Sequence, residues 1–451
     1  MSHASKHTVS GGRLALLQRL VSGYSTLLDP DEDARTCREI PEHACREQPR
    51  NRRVHIIALT LTKVGDSLVD AKLTLTWLMG GLGAPAFLIA WLVPVRESLA
   101  LLPQLAVGQW IRENPVRKGF WIVGSLVQAL SLLAMAAVAA LLQGAAAGWS
   151  ILVALAVFAI GRGITSVASK DVLGKTIDKQ RRGTVNGIAT SISGLAAIVL
   201  GGLLMWFGAP EGRLSMVLLL CLAALLWLLA CAVYATLREF PGATGGGRNG
   251  LAMALANLRL AWVDRQLRAF LVARTLLIGS GLTGPFYVSL AASHGQQGLK
   301  QLGALVLVAG VANLLSGRFW GRLSDLSSRY TMAIAGGVCA ALPFAVALAE
   351  TYALAGNHYG EWYALVIFLF YLGHAGIRLG RKTYLVDMAT PENRAQLVAV
   401  SNTIIGLLLL LIGGLSSWLA MAGAVPTLLG LGLLCGLGAV ISASLPSTAG
   451  S

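Results

Sequence analysis

Among the ionisable side chains inside stretches that are otherwise apolar, seven are the candidates for chemistry: Lys63, Asp66, Arg96, Glu97, Arg162, Arg274 and His374, with Asp70 and Lys72 beside the first two on the same run. A charge held at membrane depth costs roughly 2.5–3.5 kcal/mol, so a chain keeps one there to pair it, to line water or to meet a cargo. Lys63 and Asp66 are three positions apart, neighbours on one helical face, and either neutralise each other as an internal ion pair or front a cavity. Arg96 and Glu97 are adjacent, about 100° apart on a helix, and need partners elsewhere. Asp66 or Asp70 is within reach for Arg96, and Lys63 or Arg162 for Glu97. Arg162 is the leading cationic candidate. Arg274, toward the end of its run, is either a cavity cation or a side chain that snorkels to the interface. His374 titrates near neutral pH unless hydrogen bonds hold it as a structural residue. This is chemistry of charge binding and proton movement. No nucleophile elbow, phosphate loop or metal-ligand cluster is seen, so no enzyme activity, metal or cofactor is expected.

Long apolar runs must position these groups. The 451 residues are 55% hydrophobic and 13% charged, with a mean hydropathy of +0.67. A soluble core cannot hide so much apolar surface. Runs such as 149–160, 214–237 and 403–419 count toward the roughly 20 residues that a membrane-crossing helix needs. Twelve spans are expected in an all-α membrane protein: 55–78, 85–111, 120–142, 149–172, 184–207 and 214–237, then 270–291, 302–320, 331–348, 362–385, 397–419 and 424–442. Pro94 removes one helical hydrogen bond and predicts a kink in the second span.

The domains expected are a hydrophilic segment 1–54, a six-span bundle 55–238, a Gly-rich linker 239–268, a second bundle 269–445 and a tail 446–451. Leu14, Leu17, Val21, Tyr24 and Leu28 recur at helical spacing, as do Leu251, Leu255, Leu258 and Trp262, and both sets predict surface amphipathic helices. Cys221, Cys231, Cys339 and Cys435 read as small core residues. Cys37 and Cys45, with His43 between them, fit no standard zinc spacing.

The net charge of +15 sits in alternate loops: Arg112, Arg117 and Lys118; Lys175, Lys179, Arg181 and Arg182; Arg318, Arg322 and Arg329; Arg381, Lys382 and Arg394. The other connections hold little beyond Arg213 and Lys300. That asymmetry reads as orientation in a bacterial inner membrane with both termini cytoplasmic, rather than as a nucleic-acid surface. Residues 1–54 lack the apolar core and cleavage site of a signal peptide, so the first span is expected to remain as an anchor.

The chain is built twice. At an offset of 212 residues, Phe158, Gly161, Lys170, Leu173 and Arg182 fall on Phe370, Gly373, Lys382, Leu385 and Arg394, and Arg162 falls on His374. Parallel repeats of this kind mark transporters whose substrate path runs between two bundles. A polar hinge is expected at Gly321–Tyr330, which reads G-R-L-S-D-L-S-S-R-Y between two spans. Gly108, in a similar position between spans of the first half, falls one residue short of Gly321.

Over residues 55–445 the chain resembles the major facilitator superfamily. Gly321, Leu323, Asp325 and Arg329 match its G-x-L-x-D-x-x-x-R signature between the eighth and ninth helices. The resemblance implies that spans 1, 4, 7 and 10 line a central cavity. It also implies that the Gly321, Arg322, Asp325 and Arg329 motif helps hold the cytoplasmic side shut. Asp325 would do so by facing the start of the fifth span near Gly183, where the helix dipole favours a carboxylate. Arg162, with Gly163 and Ser166, resembles the Arg of a fourth-helix motif linked to proton coupling. Two features depart from the family. Arg112 stands where the first copy of the signature has its acid, with Glu113 next, so Arg112, Arg117 and Lys118 read as orientation charges. The fifth span lacks the antiporter Gly-Pro pair and carries Gly187, Gly194, Gly201 and Gly202, which read as packing glycines.

The function expected is secondary active transport of a small anionic or zwitterionic solute by alternating access, proton-coupled through Asp66 or Glu97. The protein is expected to act as a monomer in the lipid bilayer. Two other readings stand beside it: an exporter of amphipathic compounds or lipids, which would have an apolar cavity, and a non-transporting sensor or assembly factor that recruits a partner through residues 1–54.

Overall fold

Among the described residues of the computed structural model, ten helices are long and apolar enough to cross a bilayer, and two broken ones complete the twelve spans. The structure describes residues 40–207, 213–242, 244, 263–294, 299–390 and 394–447. The first half consists of α1, in two pieces (α1a, Gln48–Leu68; α1b, Thr74–Gly81), and α2, in three (Ala86–Ala90, Leu92–Leu101 and Gln104–Arg112), followed by four unbroken helices. These are α3 (Lys118–Leu141), α4 (Gly144–Thr176), α5 (Lys179–Phe207) and α6 (Arg213–Ala235). The second half has α7 in three pieces (Arg265–Leu276, Gly279–Leu282 and Gly284–Ser293), α8 (Leu299–Leu326) and α9 (Ser328–Thr351). It closes with α10 (Tyr359–Asp387), α11 (Arg394–Ala420) and α12 (Ala424–Ala443). Both amphipathic stripes, and Cys37, lie outside the described residues. Large apolar side chains point outward along the helices, among them Leu130, Val153, Val199, Leu411 and Val440. Such a surface is stable only against hydrocarbon.

Most helices are longer than hydropathy predicts, chiefly at the end of the bundle that holds the start of α1 and the end of α12, called here the terminal face. Hydropathy registers only the part of a helix that lies in hydrocarbon, whereas the helical hydrogen bonds continue into charged sequence. Three expectations change as a result. Helix α1 begins at Gln48, seven residues early, because its first turn is tied down. The Asn51 side chain bonds the main chain of Arg238 in both directions, at 2.9 and 3.0 Å, and Gln48 accepts from the Asp178 amide at 2.8 Å. Arg381 and Lys382 belong to α10 and not to a loop. The polar stretch after Gly321 is no open hinge: residues through Leu326 extend α8, Ser327 is the joint, and its side chain caps α9.

The first span, predicted continuous, is broken at residues 69–73, and α2 is interrupted at Trp91, just before Pro94. Glycines set the closest approaches between helices. A Cβ on Gly161 of α4 would lie 2.8 Å from the Gly124 carbonyl of α3, and one on the repeat-related Gly373 of α10 would lie 2.8 Å from the Cys339 sulfur of α9. Cys231, Cys339 and Cys435 are buried, as expected for core residues. His43 meets the Phe240 ring edge-on at 4.5 Å, and Cys45 is buried beside it with Ile40 and Ala44.

Candidate functional site

The break in α1 is where the buried charges converge. Arg96, on α2 and almost fully buried, donates to the Val69 carbonyl freed at the end of α1a (2.5 Å) and to Asp66 Oδ1 (2.9 Å). Arg162, on α4, donates to that same Asp66 oxygen at 2.5 Å. One carboxylate therefore joins three helices of the first half. Lys63 does not pair with Asp66 as the three-residue spacing suggests. Its ammonium turns to the Thr190 hydroxyl of α5, since the two guanidiniums occupy the carboxylate.

Beside this cluster lies a cavity of about 210 Å³ lined by Asp66, Asp70, Lys72, Arg96, Glu97, Arg162 and Arg378. It continues into one of about 640 Å³ between the halves, which shares Lys72, Glu97, Arg162 and Arg378 and adds Lys170, Arg274, His374, Arg381 and Lys382. Glu97 thus stands in the cavity with Arg162 but without Lys63. Arg274 does not snorkel: it is 7% exposed and donates across to α11, to Ser401 Oγ at 2.5 Å and Asn402 Oδ1 at 3.1 Å. His374 Nδ1 lies 3.2 Å from Ser280 Oγ on α7, with its ring stacked on Phe370. All seven side chains singled out in the sequence lie on α1, α2, α4, α7 or α10. Six of them line the cavities, and Lys63 is the exception.

The halves meet along α5–α8 and α2–α11. A Cβ on Gly201 would come within 2.5 Å of the Leu307 nitrogen, and one on Gly303 would strike the Met205 backbone. Toward the terminal face the same two helices part: around Gly183, Gly187 and Gly194 on α5, and Gly317 and Gly321 on α8, a Cβ would meet nothing within 4 Å. Of the expected packing glycines, Gly201 is therefore the tight one. On the other seam Ser417 donates to the Phe87 carbonyl at 2.8 Å and Gly413 rests on Pro94, both toward the far face. The cavity opens at the terminal face.

The sequence model of the Major Facilitator Superfamily matches residues 56–407. The chain belongs to the Major Facilitator Superfamily. No curated protein sequence matches it. Its fold is similar to that of a POT family transporter solved with 5-aminolevulinic acid, at a TM-score of 0.67 and 12% identity over 87% of this chain and 95% of that one. It is also similar to a D-xylose-proton symporter, at 0.63 and 14% over 89% and 99%. A third likeness is to the xylose transporter XylE from E. coli in a partially occluded inward-open conformation, at 0.62 and 13% over 89% and 98%.

In this superfamily member the signature residues take unequal roles. Arg329 donates to the Leu445 carbonyl at 2.7 Å and stacks over Tyr330, tying the start of α9 to the end of α12. Arg322 and Asp325 are exposed, and Asp325 makes no contact with the start of α5 near Gly183 among the described residues. With the terminal face open, the two helices that such a contact would join are apart. A different acid is engaged on that face. The fully buried Glu239 carboxylate accepts from the amides of Arg117 and Lys118 at the start of α3, at 2.9 and 2.6 Å, and from Lys175 at 2.5 Å. Sequence reasoning placed Glu239 in a linker and passed over Arg378 altogether. His374, Arg378 and Lys382 recur every four residues, a ladder visible in the sequence that marks one helical face.

Proposed function

We propose that this protein is a secondary active transporter that moves a small anionic solute by alternating access, with Asp66 and Glu97 as the proton-coupling carboxylates. The observation that carries the reading is the excess of cations around a cavity between the two halves. The two contiguous cavities are lined by eight Lys or Arg side chains and three carboxylates, and Asp66 is already engaged by two of the arginines. An exporter of amphipathic compounds would be expected to present an apolar wall, which this lining opposes. The terminal face carries Arg50, Arg53, Lys118, Lys179 and Arg182, which supports a cytoplasmic assignment for both termini in an inner membrane. We take the protein to work as a monomer, with the cavity formed within one chain.

Asp66 is placed to exchange partners. Protonated, it holds Arg96 and Arg162 less strongly, and Arg162 is freed toward the cavity. The test is uptake of a panel of carboxylates and phosphate esters into proteoliposomes under an imposed pH gradient. Wild-type protein accumulates the solute, and Asp66→Asn and Glu97→Gln reduce the pH-driven component. If both variants keep it in full, the coupling assignment is wrong.

A further inference from the structure

Five cationic side chains crowd the larger cavity. Lys72, Lys170, Arg378, Arg381 and Lys382 line it, and among the described residues none of their side-chain nitrogens makes a hydrogen bond or ion pair. Five other basic groups, three of them on the walls of the two cavities, are engaged: Arg96, Arg162, Arg117 and Lys175 contact carboxylates, and Arg274 contacts Ser401 and Asn402. A fold that satisfies those cations and leaves five together in one water-accessible hollow has kept them for a ligand. The five also come from both halves. Lys72 and Lys170 belong to the first, and Arg378, Arg381 and Lys382 to the second, which places them on facing walls.

We infer that the cavity is a binding site for a compact polyanion, a solute carrying at least two negative charges as a phosphate ester or as a di- or tricarboxylate, bridged between Lys170 with Arg162 on α4 and the Arg378–Lys382 ladder on α10. This rests on the transport reading and names its substrate class. Three features of the lining support it. Arg378, Arg381 and Lys382 are spaced three and four apart, so they present several donors to one ligand. Guanidinium forks match carboxylate and phosphate oxygens bidentately. Carboxylates are too few to neutralise the hollow from within: of the three, Asp66 is paired with arginine and Asp70 accepts the Lys72 main-chain amide at 2.7 Å, leaving Glu97 as the acid of the larger cavity. The bridging geometry also gives the ligand a mechanical role. While the cavity is empty, like charges on α4 and α10 repel across the opening. A polyanion between them turns that repulsion into attraction and draws the halves together at the terminal face.

The test uses the full-length protein in nanodiscs and titrates glycerol 3-phosphate and citrate by calorimetry, with lactate and glycerol as the singly charged and neutral probes. Glycerol 3-phosphate, citrate or both bind about tenfold or more tightly than lactate, and Arg378→Gln and Lys170→Gln each weaken that binding by about tenfold, the loss of one charge-assisted hydrogen bond. Which probe binds more tightly tells phosphate ester from polycarboxylate. Raising salt weakens the polyanion more than lactate in the wild-type protein, a readout that survives if a variant fails to fold. Equal affinity for lactate and both polyanions, or no polyanion binding, overturns the inference. Flux assays separate this from the parent reading. Transport of lactate or glycerol without polyanion binding leaves a transporter with a different substrate. Polyanion binding without flux of any probe keeps the site and removes the transport reading.

Discussion

At the scale of single residues, Asp66 is the hub and the surrounding arginines are not equivalent. Arg96 supports both the carboxylate and the Val69 carbonyl, nine-tenths buried against the Phe158 ring, whose centroid lies 5.6 Å away. Arg96→Gln is expected to cost about 1–3 kcal/mol, because it removes charge-assisted bonds to Asp66, which keeps Arg162, and to the Val69 carbonyl at the α1 break. Lys63→Gln removes a single bond to Thr190 and should stay within about 0.5 kcal/mol of wild type. Thermal unfolding in one detergent ranks the two variants, and a larger loss for Lys63 would contradict the assignment of the hub. Glu239→Gln is the corresponding test outside the cavity. The amide keeps an acceptor for the Arg117 and Lys118 amides but leaves Lys175 without its charge partner. About 3 kcal/mol of destabilisation is expected, with faster amide hydrogen exchange at 239–242. Unchanged exchange there would show that the clasp does not hold the segment after α6.

At the scale of elements, the helix breaks around which the buried charges gather were the least legible part of the sequence. Hydropathy located all twelve spans, because burying or facing apolar residues over some 20 positions leaves a signal in any order of Leu, Ala and Val. The same insensitivity hid the break at 69–73. There Asp70 and Lys72 read as two more charges in a continuous helix, and what ends α1a is a tertiary contact from Arg96, 27 positions away. The α2 interruption was legible because Pro94 acts locally. Lys170 and Lys382 were visible as a repeat coincidence near the ends of two expected spans, and their place in the cavity was not, since charges at a helix end resemble loop charges. Arg162 and His374, also repeat-related, both reach the cavity. The seam between α5 and α8 yields its own prediction. Gly303→Val drives a side chain into the Met205 backbone, where nothing flexible can yield, at about 1–3 kcal/mol of overpacking. Gly187→Val, in the parted region of the same interface, should be neutral. Equal destabilisation by both would mean that the helices are not splayed as described.

At the scale of the whole molecule, two six-helix halves touch at one face and separate at the other, with the charged cavity at the apex of the opening. A ligand shifts such an equilibrium only by binding one arrangement better than another, and cations on facing walls supply that difference for an anion. Close helix packing, as between Gly124 and Gly161 in the first half and Cys339 and Gly373 in the second, holds each half together, and in the proposed transport cycle the seams at α5–α8 and α2–α11 would be the rocking contacts. The most direct test of this account is the distance between spin labels at Thr184→Cys on α5 and Leu326→Cys on α8, both at the open terminal face, with the other reactive cysteines replaced. The account predicts a long distance without solute and a new, shorter population when citrate or glycerol 3-phosphate binds. A single distance, unchanged by any solute that binds, would contradict alternating access as the working motion of this protein.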